Sequence, residues 1–238
     1  MKYAIIVPFN YEKVKFDTIK SVTENTKPFL YYQLDLLINK LGFDKVLIIH
    51  SHENVSECIK KSFKNKYEFI HPLDLEYSEE LKESYYVKSL ALAISRIPDS
   101  AKELYLIGNN ILIDSIVNFE LMTYGNKYRF ITLINSTFSR GMYNIKFDSS
   151  ALELGIDMVL PPCNDVGKVR LLPAFIIQGS ALEFLKLKFS DNYGVKLLDN
   201  ISNLSKGGDF KAYSIEPDDF REFYTFDDFI KFRLEMND

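Results

Sequence analysis

Tryptophan is absent from this 238-residue chain, and cysteine occurs only twice. No apolar run approaches the ~20 residues that a membrane-crossing helix needs. Cys58 and Cys163 lie far apart and match no metal-ligand spacing. This sets aside a disulfide framework or thiolate zinc site and leaves two reduced thiols in a cytosolic protein as the expectation. The N-terminal run at 3–7, YAIIV, is too short for a signal-peptide core and is followed by Pro8, Asn10 and charges. A cytoplasmic location without membrane association is expected.

An excess of one charge sign is lacking too. Lysine and arginine total 29 against 33 acids, a formal net charge of -4 with both signs interspersed. A nucleic-acid backbone finds no electrostatic footprint here, so no nucleic-acid partner is expected. What the chain does have is a hydrophobic fraction of 47%, enough at this length to bury a real core. Its 19 phenylalanines and 15 tyrosines make that core heavy in rings without identifying a ligand.

Short, β-rich apolar bursts at 3–7, 45–50, 67–71, 103–108 and 128–135 read as strands, the first buried on both faces. Between them, Leu30, Leu34, Leu37 and Leu41 form a helical stripe, with Pro28 in the first turn and Gly42 at the end. Further helices are expected at 54–63, 85–97 and 115–122. This alternation predicts an α/β domain with a mainly parallel sheet between two helical layers. The second half is less regular. Strands are expected at 143–147, 169–178 and 210–215, with Pro173 marking a bulge, edge or bend. Helices are expected at 179–189, 195–204 and 225–236. With no repeat or linker, a single domain over 1–238 is the simplest account.

The stretch ELYLIGNNILID, 103–114, concentrates the functional question. A parallel strand ending at Gly108 would set Asn109 and Asn110 at its carboxyl end, where open α/β sheets bind ligands. All three histidines, His50, His52 and His71, fall at or just past the ends of expected strands. No carboxylate or cysteine joins them at a ligand spacing, so loop histidines are the default over a metal site. TFDD at 225–228 has capping-box spacing with Asp in place of the usual Glu or Gln. Asp218 and Asp219, in an acidic segment near a strand end, are the most plausible substitute metal ligands, although a surface turn is the default reading. Ser180 lacks the flanking glycines of a nucleophile elbow and no histidine follows it, so Gly179 and Ser180 most simply start a helix.

The order of these pieces resembles the sugar-phosphate nucleotidyltransferases, especially their phosphocholine cytidylyltransferase-like branch. KYAIIV resembles the family's first strand. TENTKPFLYYQLDLLINKLGFDKVLII resembles its lysine-proline helix and second strand. YLIGNNIL resembles the strand that normally ends in Gly-Asp, and EFYTFDDFIKF the segment that follows a second metal-binding aspartate. The likeness covers the first half well, the last thirty residues moderately and 138–214 poorly. It implies a three-layer, Rossmann-like GT-A type fold with residues 1–135 as the nucleotide-binding half. Residues 136–238 would form the acceptor half and C-terminal helix.

Departures from the family pattern carry as much as the matches. The family's glycine-rich phosphate loop corresponds here to PFNYEKVKFDTIKS, which contains no glycine, and Pro8 lacks an amide donor. Asn109 stands where the first metal-binding aspartate is expected and Tyr224 where the second is expected. Magnesium favours anionic oxygen ligands, so no cofactor is expected unless the family activity is retained. The resemblance therefore implies a divergent protein that binds a nucleotide, nucleotide sugar or sugar phosphate, with magnesium-dependent transfer weak or lost. Its candidate ligand contacts are Pro8, Phe9, Asn10, Lys13, Lys27, Asn109 and Asn110. Lys15 and Lys20 could also meet an anion, although solvated loop lysines are the default. Two alternatives stay open: an active nucleotidyltransferase or GT-A-like glycosyltransferase using other residues, and a non-catalytic assembly partner of an active paralogue. Homo-oligomerisation is left open as well. Pro8 and Asn109 are expected to open onto one cleft.

Overall fold

In the computed structural model, the apolar bursts form the middle of a layered α/β fold. The structure describes residues 1–8, 14–21, 26–51, 55–72, 74–113, 130–135, 144–147, 156–160, 170–191, 210–214 and 220–235. Its strands, in chain order, are β1 (Lys2–Val7), β2 (Lys45–Ile49), β3 (Tyr67–Ile70), β4 (Glu103–Gly108), β5 (Ile111–Ile113), β6 (Phe130–Asn135), β7 (Asn144–Phe147), β8 (Ile156–Leu160), β9 (Arg170–Gln178), β10 (Phe210–Ser214) and β11 (Phe220–Glu222). The helices are α1 (Phe29–Leu34, continued by a π-helical segment, Asp35–Lys40), α2 (Glu57–Phe63), α3 (Lys82–Ser95), α4 (Gly179–Asp191) and α5 (Phe226–Glu235).

Seven strands make the central sheet in the order β10-β6-β9-β4-β1-β2-β3. β1 pairs in parallel with β2 and β4, and β2 with β3. β9 runs antiparallel to both neighbours, β4 and β6, which leaves β6 parallel to β4. The expected parallel relation among the strands at 3–7, 45–50, 103–108 and 128–135 therefore holds. Strict alternation explains how one sheet serves two cores. Ala4, Ile6, Val46, Ile48, Tyr105 and Ile107 bury on the face covered by α1, α2 and α5. Ile5, Val7, Leu47, Ile49, Leu104 and Leu106 bury on the opposite face, under α3 and α4.

Local features follow the expected chemistry. Gly42 ends the first helix at φ 70°, a conformation glycine adopts without a Cβ penalty. Pro173 marks a bulge. β9 pairs with β4 only from Ala174 onward, and its register with β6 shifts between Thr132 and Ile134. The proline thus falls where a ladder bond is already lost. α2 begins at Glu57, three residues later than its apolar spacing suggests, with Ser56 at the N-cap position. The helices expected at 115–122 and 195–204 lie outside the described residues. No described helix is long and apolar enough to cross a membrane.

Rings join α1 to α5. Phe29 is fully buried, and its centroid lies 4.8 Å from Phe223, 5.7 Å from Phe229 and 6.1 Å from Phe16. Phe229 also stacks on Phe16 at 6.0 Å. Edge-to-face contacts of this kind add to the area that the rings bury. Phe29→Ala should destabilise the protein by about 3–5 kcal/mol in denaturant melts, and Phe29→Leu by markedly less.

Candidate functional site

From β1 the chain proceeds to β2 and β3 on one side, then returns to place β4 on the other side of β1. The β1/β4 boundary is therefore the point where strand order reverses, and open α/β sheets bind ligands at the carboxyl end of such a crevice. Val7 pairs with Gly108, and the Asn109 N–H continues the ladder by donating to the Val7 carbonyl at 2.9 Å. Pro8 and Asn109 thus leave the sheet side by side.

After the Asn109–Asn110 turn, β5 pairs antiparallel with β11. Ile111 faces Glu222, and the Phe223 N–H donates to the Asn110 carbonyl at 2.9 Å. Continuing that register sets Tyr224 opposite Asn109. The two positions assigned to missing metal carboxylates by resemblance each lie one residue beyond the Phe223–Asn110 bond. The Lys15 N–H donates to the Tyr224 carbonyl at 2.6 Å, and the Leu30 N–H to that of Thr18 at 2.9 Å. The segment following β1 is thereby stitched to this corner and to the head of α1. Phe9, Asn10 and Lys13 lie outside the described residues.

Gln33 holds the turn and is the residue that the sequence reading missed. It is 2% exposed, and its Nε2 donates to the Gly108 and Ile111 carbonyls, both at 2.8 Å. One carboxamide thus fixes both ends of the Asn109–Asn110 turn. The π-helical segment of α1 begins two residues later and covers a void of about 10 Å³, room for at most one water. Among the described residues, Gln33 is the one polar side chain lining it, against Leu36, Leu37, Ile107, Ile111 and Ile113.

Polar groups at this corner are buried without protein partners. Asn109 is 8% exposed and Asn110 0%; Asn109 Oδ1, Asn110 Oδ1, Asn110 Nδ2 and Gln33 Oε1 accept or donate no hydrogen bond. Buried polar atoms are nearly always satisfied, so a group of orphans at one corner calls for an explanation. Lys27 sits elsewhere on the head of α1, its ammonium 5.0 Å from the Tyr31 ring centroid. Lys15 and Lys20 are exposed, Lys20 pairing with Asp17 at 3.1 Å.

Neighbouring features resolve as structural. Asp228 Oδ2 accepts from the Thr225 N–H at 2.9 Å and the Tyr224 N–H at 3.1 Å, while the Asp228 N–H donates to Thr225 Oγ1 at 3.3 Å. This is the expected capping box with aspartate at its fourth position. His50 Nε2 lies 3.5 Å from Asp17 Oδ1, His71 Nδ1 hydrogen-bonds the Tyr85 hydroxyl, and that hydroxyl donates to the His50 carbonyl at 3.3 Å. The two imidazole-bearing strand ends are joined through Tyr85; His52 lies outside the described residues, as do Asp218 and Asp219. Among the described residues, no three His, Cys, Asp or Glu side chains gather as a metal site would need. Ser180 follows Gly179, whose φ of 51° opens α4.

Magnesium can be tested against the donors present. Position 109 offers a neutral amide, and position 224 a phenol whose hydroxyl donates to Glu222 Oε1 at 3.1 Å. Neither carries the charge that holds a hard divalent ion, so these two positions do not fit it.

A mainly parallel sheet with helices on both faces, its strand order reversing at β1/β4, matches the nucleotidyltransferase type of α/β fold. Solved structures similar to it include several whose names carry a nucleotidyl-transfer activity. A Bacillus anthracis protein assigned as a glucose-1-phosphate thymidylyltransferase, in complex with a sucrose, superposes with a TM-score of 0.70 at 11% identity, covering 100% of this chain and 96% of that one. The inositol-1-phosphate CTP transferase of T. maritima gives 0.65 at 8% identity, with coverages of 95% and 90%. CTP:phosphocholine cytidylyltransferase of Streptococcus pneumoniae gives 0.61 at 13% identity, with coverages of 99% and 98%. Identities this low establish the fold alone. No protein-family model matches the sequence, and no curated protein matches it significantly.

Two measurements test this corner. Gln33→Ala strips the donor from two buried carbonyls and should cost about 2–4 kcal/mol in chemical denaturation. Burial pushes the Asp228 carboxyl up, but the Thr225 N–H and hydroxyl and the Tyr224 N–H outweigh it and hold it below its ordinary 3.8. A depressed carboxyl stabilises the fold above its unfolded pKa and loses that contribution as pH falls through the folded value. Asp228→Ala should therefore cost about 1 kcal/mol at neutral pH, with the gap to wild type closing below pH 3.8.

Proposed function

We propose that this chain is a divergent nucleotidyltransferase-like protein that binds a nucleotide, nucleotide sugar or sugar phosphate at the β1/β4 crevice without a divalent metal. Residues 1–238 act as one domain in this reading. The observation that carries it is the cluster of orphaned amide atoms on Asn109 and Asn110, buried at the strand-order reversal. Neutral amides donate and accept hydrogen bonds, so they suit sugar hydroxyls, base edges and phosphate oxygens alike. The nucleotide and sugar-phosphate chemistry in the names of the structural neighbours supports the same ligand class. Magnesium-dependent transfer is weak or absent, because positions 109 and 224 carry an amide and a phenol.

A second reading, an active transferase using other residues, draws support from Glu222, whose carboxylate meets the Tyr224 hydroxyl at this corner. The two readings separate by experiment. A panel of nucleotides and nucleotide sugars should raise the melting temperature equally with and without EDTA. At a hundredfold excess over Kd the stabilisation is about 2.7 kcal/mol. A shift that vanishes in EDTA would favour the second reading, and no shift with any compound would favour a non-catalytic assembly role.

Catalysis provides an independent check. Wild-type protein should release no pyrophosphate from nucleoside triphosphates with magnesium and either sugar phosphates or phosphocholine. The pair Asn109→Asp and Tyr224→Asp should gain magnesium affinity by calorimetry yet recover little turnover, since the glycine-free segment after β1 still misplaces the phosphates. Robust wild-type turnover would overturn the proposal.

A further inference from the structure

The far edge of the central sheet carries a second surface, on β3. This strand pairs only with β2, so among the described residues the outward half of its amides and carbonyls meets no further strand. α2 stands away from it and leaves an open groove of about 530 Å³. Lys45, Lys60, Lys64, Tyr67, Glu68 and Phe69 line the groove. Tyr67 and Phe69 are half-buried and pack edge to face at 6.0 Å, presenting a ring surface along the strand.

Charge around this groove runs against the chain's net acidity. Glu68 is already held by both Lys45, at 3.0 Å, and Arg96, and Lys60 is paired with Glu57 at 2.8 Å. Lys64 in the groove, Lys66 immediately before β3 and Lys61 on α2 are exposed and form no ion pair among the described residues. Lys64 adds a conformational observation. Its φ is 42°, the one positive value outside glycine among the described residues. A side chain there is strained where glycine would not be, and such outliers point from structure toward function.

We propose that β3 is a docking edge for an acidic, extended segment of another protein, which adds as a strand while its carboxylates meet Lys61, Lys64 and Lys66. Backbone bonds to the open edge would supply affinity, and alternate apolar side chains would rest on Tyr67 and Phe69. A second copy of this chain fits poorly, because two-fold pairing of β3 with itself would bring the same lysines together. Lysines can also serve only to keep a sheet edge from aggregating, a role that needs no partner.

The test uses the full chain and a labelled peptide alternating glutamate with valine. Its lysine-for-glutamate counterpart and a single-stranded RNA are the competing probes. The glutamate peptide should bind, weaken as salt is raised, and slow amide hydrogen exchange in β3. Lys64→Gly relieves the strained backbone, so its melting temperature should hold or rise while peptide affinity falls about fivefold. Lys61→Glu with Lys64→Glu should reduce affinity on the order of tenfold or more. The proposal fails if the glutamate peptide does not bind, or if the lysine peptide or RNA binds equally well. It fails too if β3 exchange is unchanged, or if the double reversal leaves affinity intact.

Discussion

The carboxamide of Gln33 spans the two ends of one turn, and the candidate site depends on that span. Its single NH2 group bonds the carbonyls of Gly108 and Ile111, so the two asparagines between them have little freedom to re-aim. Everything at the crevice is referred to this turn. Asn109 extends the β1/β4 ladder through Val7, and Asn110 receives the Phe223 amide that positions β11. A donor buried at 2% exposure between two carbonyls is demanding chemistry, since either carbonyl left alone would be a buried, unsatisfied acceptor. The same helix carries Phe29, whose ring reaches α5. α1 therefore couples the turn to the C-terminal segment by two unlike interactions, one polar and directional, the other apolar and broad.

This coupling accounts for how a segment more than a hundred residues away completes the corner. β11 is only three residues long and gains its order from β5 on one side and from the capped start of α5 on the other. The carboxylate of Asp228 accepts from the N–H of Thr225, the residue that caps α5, and, by accepting from Tyr224, also holds the link between β11 and the helix. One side chain thus organises a helix end and one wall of the crevice. Structural acids that do this work are easily mistaken for metal ligands, because both sit near strand ends and both have depressed pKa values.

Much of this was legible in sequence because the relevant signals are local. The buried strands announce themselves as uninterrupted apolar bursts. The α1 stripe Leu30, Leu34, Leu37 and Leu41 has helical spacing, and TFDD carries its own capping geometry. Asn109 could be located because it immediately follows a strand. Gln33 could not, since a glutamine beside a leucine stripe reads as solvent-facing until its partners, 75 and 78 residues away, are in place. β5 and β11 escaped for a related reason. Three residues are too few to display a period of two, and their pairing joins positions separated by most of the second half of the chain.

The π-helical turn in α1 has a bearing on how this chain should be aligned with its structural neighbours. The Leu41 N–H bonds the Leu36 carbonyl, five residues back, so the helix contains one residue more than regular winding would use. An α-helix turns by about 100° per residue, and absorbing the extra one lets Gln33 face the Gly108 turn while Leu37 and Leu41 still face the sheet. In evolutionary bookkeeping this is an insertion hidden inside a helix. A homologue one residue shorter between positions 28 and 42 need not differ in any loop. It would have traded a wide turn for a regular one, and because that turn lies beyond Gln33, the counterpart of Gln33 should be sought at the same offset from the start of the helix.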